Sequence, residues 1–183
     1  MLNGSLETSY IFSVWGATFG IFFLLILSAF FSGSETALTA SSRAKLRSMT
    51  DRGSKGARKA LEITNDNESL IGTILLGNNL VNILSTSLAT TIFVTTFGDK
   101  GIAYATVTMT LLILIFAELL PKTYAINNPE TAARRVAPLV SFFIYFFSPV
   151  IGFVRKVVHV ILSLTGLKID PKKQVLALEE IAG

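Results

Sequence analysis

The sequence contains no cysteine and a single histidine, His159. Disulfides, thiol catalysis and cysteine metal sites are therefore excluded. One histidine argues against a zinc hydrolase or a histidine-based triad. No convincing pair of nucleophile and base stands out, so we expect a protein that is not an enzyme.

Charged residues are also scarce. They make up 15% of the 183 residues, whereas average soluble domains are about 25% charged. Hydrophobic residues reach 51%, and the mean hydropathy is +0.60. The length allows one domain. This composition indicates an all-α integral membrane protein with the lipid bilayer as its main partner, and gives no sign of nucleic-acid binding.

Apolar segments long enough to cross a bilayer occur at 10–31, 69–97, 102–126 and 136–154. We predict that the first three are transmembrane helices within a transmembrane domain over 10–166. The first is not a cleavable signal peptide, because residues 1–9 carry no Lys or Arg.

Positive charge predicts the orientation. Seven Lys and Arg residues lie between positions 43 and 59, which places this loop in the cytoplasm. The N-terminal residues 1–9 are then extracytoplasmic, and the chain is a multi-pass protein of the cell (inner) membrane with a cytoplasmic C-terminus. Residues 34–59 are predicted to form a cytoplasmic basic helix, either close to anionic lipid headgroups or simply solvated.

The fourth segment has positive charge at both ends, Arg134-Arg135 and Arg155-Lys156. It contains Pro138 and Pro149 and many aromatic rings. We interpret 136–166 as bent interfacial helices on the inner leaflet. The alternative is an ordinary fourth span.

Glu118 is the only acid within a predicted span. A charge there is costly, so it is expected to face a cation, a proton or other helices; alternatively, it is a protonated, hydrogen-bonded group or lies near the surface. Pro121 follows and removes the bond to the Ala117 carbonyl. The result is either a ligand oxygen beside Glu118 or a simple helix kink.

Asn78 and Asn82 share one helix face, because they are four residues apart. They are either interhelical hydrogen-bonding groups or neutral oxygen ligands. Counted from the inner ends of their spans, Asn78 and Glu118 lie at about 14 and 12 Å. Both are therefore expected at one level of the inner half of the bilayer.

Ser32-Gly33-Ser34-Glu35 ends the first predicted span. Ser32 and Glu35 fit a capping box; alternatively, the helix breaks here and presents oxygens to an ion. Gly16 and Gly20 form a GxxxG pattern, which predicts close helix packing. The combined candidate ligands are all oxygens, and they favour a hard cation such as Mg²⁺, Na⁺ or Ca²⁺.

Three motifs resemble the transmembrane domain of the CNNM/CorC (cyclin M) family of magnesium transport mediators. They are Phe-Phe-Ser-Gly-Ser-Glu-Thr-Ala-Leu at 30–38, Gly-Asn-Asn-Leu-Val-Asn at 77–82 and Ala-Glu-Leu-Leu-Pro-Lys at 117–122. The resemblance covers about residues 10–165, with the motifs in the same order and with similar gaps.

The resemblance implies three spans, a belt of juxtamembrane helices, a homodimer and Mg²⁺ transport, commonly described as Na⁺-linked export. By match, Asn78, Asn82 and Glu118 carry the metal ligands, and Ser32, Gly33 and Ser34 complete the site. Pro121 matches the family's kink after the acid.

Family members usually continue into cytosolic nucleotide-binding domains, and residues 167–183 are expected to begin that linker. Nucleotide regulation therefore does not carry over to these residues. A non-transporting, Mg²⁺-sensing membrane regulator of another transporter would need the same ligands, so the sequence leaves that alternative open.

Overall fold

The computed structural model describes the backbone of residues 2–164 and the side chains of residues 14–164. The predicted linker at 167–183 lies outside the described residues. A first compact unit ends at Phe146 and a second begins at Phe147. The described part of the chain is helical and has no strand, which confirms the predicted all-α fold class.

Helices α1 (Leu2–Ala40), α4 (Asn67–Phe97) and α5 (Gly101–Leu112) build the core of the first unit. Leu25, Ala89 and Met109 of these helices are buried together with Ala117, which lies just after α5. Their outer faces carry exposed large apolar side chains, such as Phe19, Phe22 and Phe23. Apolar side chains are expected on the outer surface where the surrounding solvent is lipid rather than water.

Three helical stretches of the described residues are long and apolar enough to cross a membrane: Val14–Ala40, the run Asn67–Asn127 and Pro129–Leu164. The run Asn67–Asn127 folds back on itself at the 3₁₀ turn Gly98–Lys100, where Gly98 has a φ of 62°. Gly101 then lies directly against the Phe93 backbone, and Tyr104 packs edge-on against Phe97. The run therefore forms a helical hairpin, in agreement with the predicted helices at 69–97 and 102–126.

The second arm of this hairpin differs from the single helix predicted over 102–126. After α5 the backbone widens into a π-helical segment, Ile113–Leu119, and then continues as α6, Leu120–Asn127. Pro121 has no N–H, so a regular α-helix cannot be completed before it. The π-helical segment carries Glu118 and accommodates the hydrogen bond that Pro121 cannot donate.

The predicted basic helix 34–59 is wrong. Helix α1 continues to Ala40, and the basic residues then lie in two short helices, α2 (Arg43–Asp51) and α3 (Lys55–Ile63). Ser42 and Ser54 occupy their N-cap positions, and Gly53 has a φ of 86°. A glycine in this left-handed conformation makes the sharp turn that separates α2 from α3.

The predicted helix end at Ser32–Glu35 is also wrong, because α1 passes through this segment without a break. Neither the capping box nor the discontinuous helix is present. Apolar burial explains the continuity: Phe31, Ala37 and Leu38 on both sides of the motif are each at most 3% exposed. The apolar stripe that holds α1 in place therefore extends beyond the motif.

The first helix also begins earlier than predicted, at Leu2 rather than Tyr10. The close packing predicted at Gly16 and Gly20 is not found there. A Cβ atom at Gly16 would meet nothing within 4 Å, and one at Gly20 would touch Leu88 Cδ1 at an ordinary 3.6 Å. The glycine that allows close packing against α1 belongs to α4 instead. Gly77 has no side chain and so leaves room for the Phe31 ring.

Residues 136–166 were predicted as a bent helix pair, but α7 is one helix from Pro129 to Leu164. Pro138 deprives only the Arg134 carbonyl of its helical partner. A Cβ atom at Gly56 of α3 would collide with this same oxygen, so the glycine hydrogen in that direction points at it. Such a Cα–H···O contact, together with the rest of the helix, lets α7 tolerate the proline.

Part of the aromatic run in α7 belongs to the core of the first unit. The Phe143 ring lies 4.9 Å from the Phe31 ring and 6.1 Å from the Phe30 ring. At the start of α7, Glu130 accepts hydrogen bonds from Lys45 at 3.1 Å and from the Ser42 N–H at 3.5 Å. Glu130 thus attaches the first turn of α7 to α2, and Phe143 attaches a later turn to α1.

Candidate functional site

A polar cluster joins α1 and α4 inside the apolar core. The Ser28 hydroxyl lies 2.8 Å from Asn78 Oδ1 and 2.7 Å from Asn82 Oδ1, and Ser28 is 0% exposed. A hydroxyl has one proton, so it can donate to only one of these oxygens. The second contact is satisfied only if the other carboxamide turns its NH₂ group toward Ser28 or if a cation takes its oxygen.

The packing of glycines fixes the register between α1 and α4. Gly20 faces Leu88 and Gly77 faces Phe31, so the helices are antiparallel and facing residue numbers add up to 108. Asn78 therefore lies at the same level as Phe30, close to Ser28. This register explains why both amides reach the same hydroxyl.

Two further contacts fix the register between α1 and α6. A Cβ atom at Gly33 would lie 3.2 Å from Pro121 Cβ, and Lys122 Nζ lies 3.9 Å from Glu35 Oε2. The two helices run in the same direction with an offset of 88 residues at Gly33. Glu118 therefore also lies at the level of Phe30, which matches the level of Asn78.

Glu118 is half-buried in the π-helical segment. Its side chain lines a groove of about 310 Å³ together with Thr86, Thr106 and Thr110. Thr86 also lines a second groove of about 560 Å³, which contains Asn82 and Asn79. Thr86 thus stands between the carboxylate and the amide pair.

Three hydroxyl groups below this level are buried without a hydrogen-bond partner in the described part of the chain: Ser32 Oγ, Ser34 Oγ and Thr73 Oγ1. Each of these residues is at most 1% exposed. The α1–α4 register places Ser34 at the level of Ile74, beside Thr73. An unsatisfied buried hydroxyl costs about 1–3 kcal/mol, so the three together carry a stability cost.

The predicted site residues are therefore only partly brought into contact. Asn78 and Asn82 converge on Ser28, whereas Gly33 contacts Pro121 and Ser34 lines a separate small groove beside it. Glu118 is connected with Asn82 through Thr86. Among the described residues, no group of three or more His, Cys, Asp or Glu side chains is placed to hold a metal ion.

Sequence reasoning missed the role of Ser28, Thr73 and Thr86. Ser28 lies on the same face of α1 as Gly16 and Gly20. Its spacing of four residues from Ser32 was the available signal. Thr73 lies five residues before Asn78 and gave no signal, because its burial depends on the contact with α1.

The fold and the polar seam define a polytopic helical membrane protein with a polar site between its helices. Residues 19–183 match the cyclin M transmembrane N-terminal domain, CNNM. The chain belongs to this family.

Relatives in several bacteria share the domain. A UPF0053 protein of Haemophilus influenzae is 36% identical over 157 residues, covering 86% of this chain and 37% of the relative. The UPF0053 inner membrane protein YfjD of Escherichia coli is 35% identical over 79% of this chain and 34% of its own length. A polyamine export protein of H. influenzae is 27% identical over 77% of this chain and 36% of its own length. The chain thus spans about a third of the length of these curated relatives.

Proposed function

We propose that this chain is the transmembrane domain of a Mg²⁺ transporter of the inner membrane, which exports Mg²⁺ in exchange for Na⁺. Its basic loop and C-terminus face the cytoplasm. The observation that carries the proposal is the convergence of Asn78 and Asn82 on buried Ser28, at the level of Glu118. Hard cations prefer such carboxylate, amide and hydroxyl oxygens.

The single carboxylate suits a transported ion. Mg²⁺ keeps several of its waters and needs few protein ligands, so Glu118 with two carboxamides gives a site of modest affinity. A bound cation would compete with Ser28 for the carboxamide oxygens. This competition provides two states of the α1–α4 contact. In one the Ser28 hydroxyl contacts the carboxamide oxygens, and in the other a cation binds them.

The buried hydroxyl groups that lack a hydrogen-bond partner would line the path of the ion. Ser32 and Thr73 lie between the Asn78 level and the end of α1 that leads into the basic helices. A partly hydrated cation passing them would satisfy the hydroxyl groups that the apo protein leaves unpaired. On this proposal their cost to stability is retained because of transport.

A homodimer is the second part of the proposal. The face of α4 that carries Asn79 and Ser87 is exposed and borders the groove of about 560 Å³. Polar groups facing lipid are unfavourable, and a second copy would cover them. The groove that contains Asn82 would then lie within the dimer.

Polyamine export is a second candidate, favoured by one observation. The groove beside Glu118 is open and lined by threonines, so it could admit a primary ammonium group as well as a hydrated metal ion. Two relatives carry the name polyamine export protein. The third candidate, a Mg²⁺ sensor, uses the same ligands and differs only in the absence of flux.

The test is ligand-dependent thermal stability of the purified chain. Ligand that binds the native state raises the stability by RT ln(1 + [L]/Kd). We expect Mg²⁺ to raise the Tm of the wild type and of Glu62→Gln, an exposed control on α3, but not that of Glu118→Gln. Full Mg²⁺ stabilisation of Glu118→Gln would refute the site, and stabilisation by spermidine in place of Mg²⁺ would favour the polyamine reading.

A further inference from the structure

A small groove lies where α1, α6 and the beginning of α7 meet, away from the amide pair. It has a volume of about 170 Å³, and its lining includes Phe30, Ser34, Tyr124, Arg135 and Val136. We call it the α1–α6–α7 groove. All of its lining residues belong to the first compact unit.

One end of the groove is cationic. The Arg135 guanidinium is exposed and lies 3.5 Å from the Tyr124 hydroxyl. The nearby Lys122 is paired with Glu35 at 3.9 Å, whereas no carboxylate pairs with Arg135 within the part of the chain that the structure describes. The groove therefore offers one uncompensated positive charge with a hydroxyl beside it.

A buried hydroxyl also lines the groove. Ser34 is 0% exposed, and its Oγ has no hydrogen-bond partner in the described residues. A buried polar group without a partner is unfavourable, which indicates that a ligand oxygen or another polar atom is missing there. This observation is independent of the charge on Arg135.

The groove changes from polar to apolar along α1. Phe30 lies one turn before Ser34, about 6 Å along the helix. Tyr124 lies beyond the Gly33–Pro121 contact, toward the end of α1 that leads to basic α2 and α3. The apolar end thus points toward the membrane interior, and the cationic end lies at the basic surface.

We propose that this groove binds one anionic phospholipid. Arg135 and Tyr124 bind its phosphate, the Ser34 hydroxyl donates to an ester or phosphate oxygen, and an acyl chain lies against Phe30 and Val136. Basic pockets between membrane helices recognise lipid headgroups through the same chemistry. Because Gly33 and Pro121 form part of the groove, the bound lipid stabilises the contact that positions the π-helical segment.

The test is native mass spectrometry of the full chain in mild detergent with added dioleoyl phosphatidylglycerol. We expect the wild type to retain one lipid and Arg135→Gln to bind it about tenfold more weakly, since a charge-assisted hydrogen bond is lost. Arg134→Gln is the matched control, because it removes the same charge one residue away on α7. Its affinity should stay within about twofold of the wild type, as expected for an exposed charge.

A second variant tests the apolar end without changing charge. Ala29 lines the groove and is half-buried, so Ala29→Leu should fill it and lower lipid retention while the Tm in lipid-free detergent is kept. Equal losses in Arg134→Gln and Arg135→Gln would overturn the proposal, as would unchanged retention in Ala29→Leu. Equal retention of dioleoyl phosphatidylcholine, or displacement by millimolar inorganic phosphate, would overturn the assignment to an anionic lipid.

Discussion

At the scale of single residues, the structure depends on hydroxyl and amide groups that have too few partners. Ser28 must serve two carboxamide oxygens with one proton, and Ser32, Ser34 and Thr73 have no partner in the described chain. Buried polar groups are normally satisfied. A concentration of exceptions on neighbouring turns of α1 and α4 indicates that these residues serve something other than stability.

Replacing Ser28 with alanine tests its role as a bridging group. The substitution leaves Asn78 and Asn82 without their buried donor, so we expect a loss of about 1–3 kcal/mol in unfolding free energy. The loss should be largest in Mg²⁺-free buffer and smaller when Mg²⁺ is added, because a bound cation takes the carboxamide oxygens that Ser28 otherwise contacts. Denaturation in detergent at both conditions measures it, and a loss confined to Mg²⁺-containing buffer would mean that Ser28 is itself a ligand.

Replacing Thr73 with valine is expected to stabilise the protein, whereas Ser28→Ala is expected to destabilise it. Valine has nearly the same shape and lacks the orphan hydroxyl, so the metal-free protein should become about 1 kcal/mol more stable. Thr36→Val is the matched control, because Thr36 Oγ1 is hydrogen-bonded to the Ser32 carbonyl at 3.4 Å. A destabilised Thr73→Val protein would show that the hydroxyl has a partner in the folded state.

Sequence spacing could predict part of this cluster. Asn78 and Asn82 lie four residues apart and share a face, and the depth of Glu118 followed from the rise of a helix. The partner of the amides could not be predicted, because Ser28 is 50 residues distant from Asn78 in the chain. Which side chains meet depends on the register of α1 against α4, and Gly77 and Phe31 set that register through shape.

At the scale of helices, the π-helical segment is the unusual element. It begins at Ile113, ends at Leu119 and holds Glu118 just before Pro121. Pro121→Ala would restore the N–H that a regular helix needs and should favour α-helical geometry. We therefore expect higher stability in metal-free buffer and a smaller Mg²⁺-dependent Tm shift, because Glu118 moves off its position.

One result of the Pro121→Ala experiment would contradict this expectation. If Pro121→Ala keeps the full Mg²⁺-dependent shift, the proline does not position Glu118, and the wide turn has another cause. Leu120→Ala, an exposed neighbour without this backbone role, controls for side-chain effects.

A second prediction at this scale concerns the contact between α3 and α7. Gly56→Ala places a methyl group on the Arg134 carbonyl, so the helices must separate and stability should fall by about 1–3 kcal/mol. Gly16→Ala is the matched control, since a Cβ atom there meets nothing within 4 Å. Thermal unfolding of both variants measures the difference, and equal Tm values would contradict the close approach.

The bounds of the helices were predictable where composition changes sharply. Helix α4 begins and ends within two residues of the predicted range, because polar residues precede it and Gly98 follows it. The continuity of α1 through Ser32–Glu35 and of α7 through two prolines could not be predicted. In both helices, burial against neighbouring helices outweighs a local signal for a helix end.

At the scale of the whole molecule, the distribution of charge predicts the arrangement in the bilayer. The positive-inside rule predicts that α2 and α3 lie in the cytoplasm and that the turn Gly98–Lys100 lies outside. The chain has no native cysteine, so single-cysteine variants report topology cleanly. A membrane-impermeant maleimide added to intact cells should label Lys100→Cys and leave Arg52→Cys unlabelled.

The same reagent tests the membrane position of α7. The interfacial interpretation predicts that Lys156→Cys is protected in intact cells and labelled after the membrane is opened. Helix α7 is long and apolar enough to cross, so its position needs this measurement. External labelling of Lys156→Cys would establish a fourth crossing.

The most direct test of the central claim is Mg²⁺ flux in proteoliposomes that contain only the full 183-residue chain. We predict that wild-type and Glu62→Gln protein transport Mg²⁺, that an opposing Na⁺ gradient accelerates transport, and that Glu118→Gln and Asn82→Ala abolish it. Equal flux in wild-type and Glu118→Gln vesicles would contradict the account. So would an absence of wild-type flux while Mg²⁺ still stabilises the protein, because that result describes a sensor.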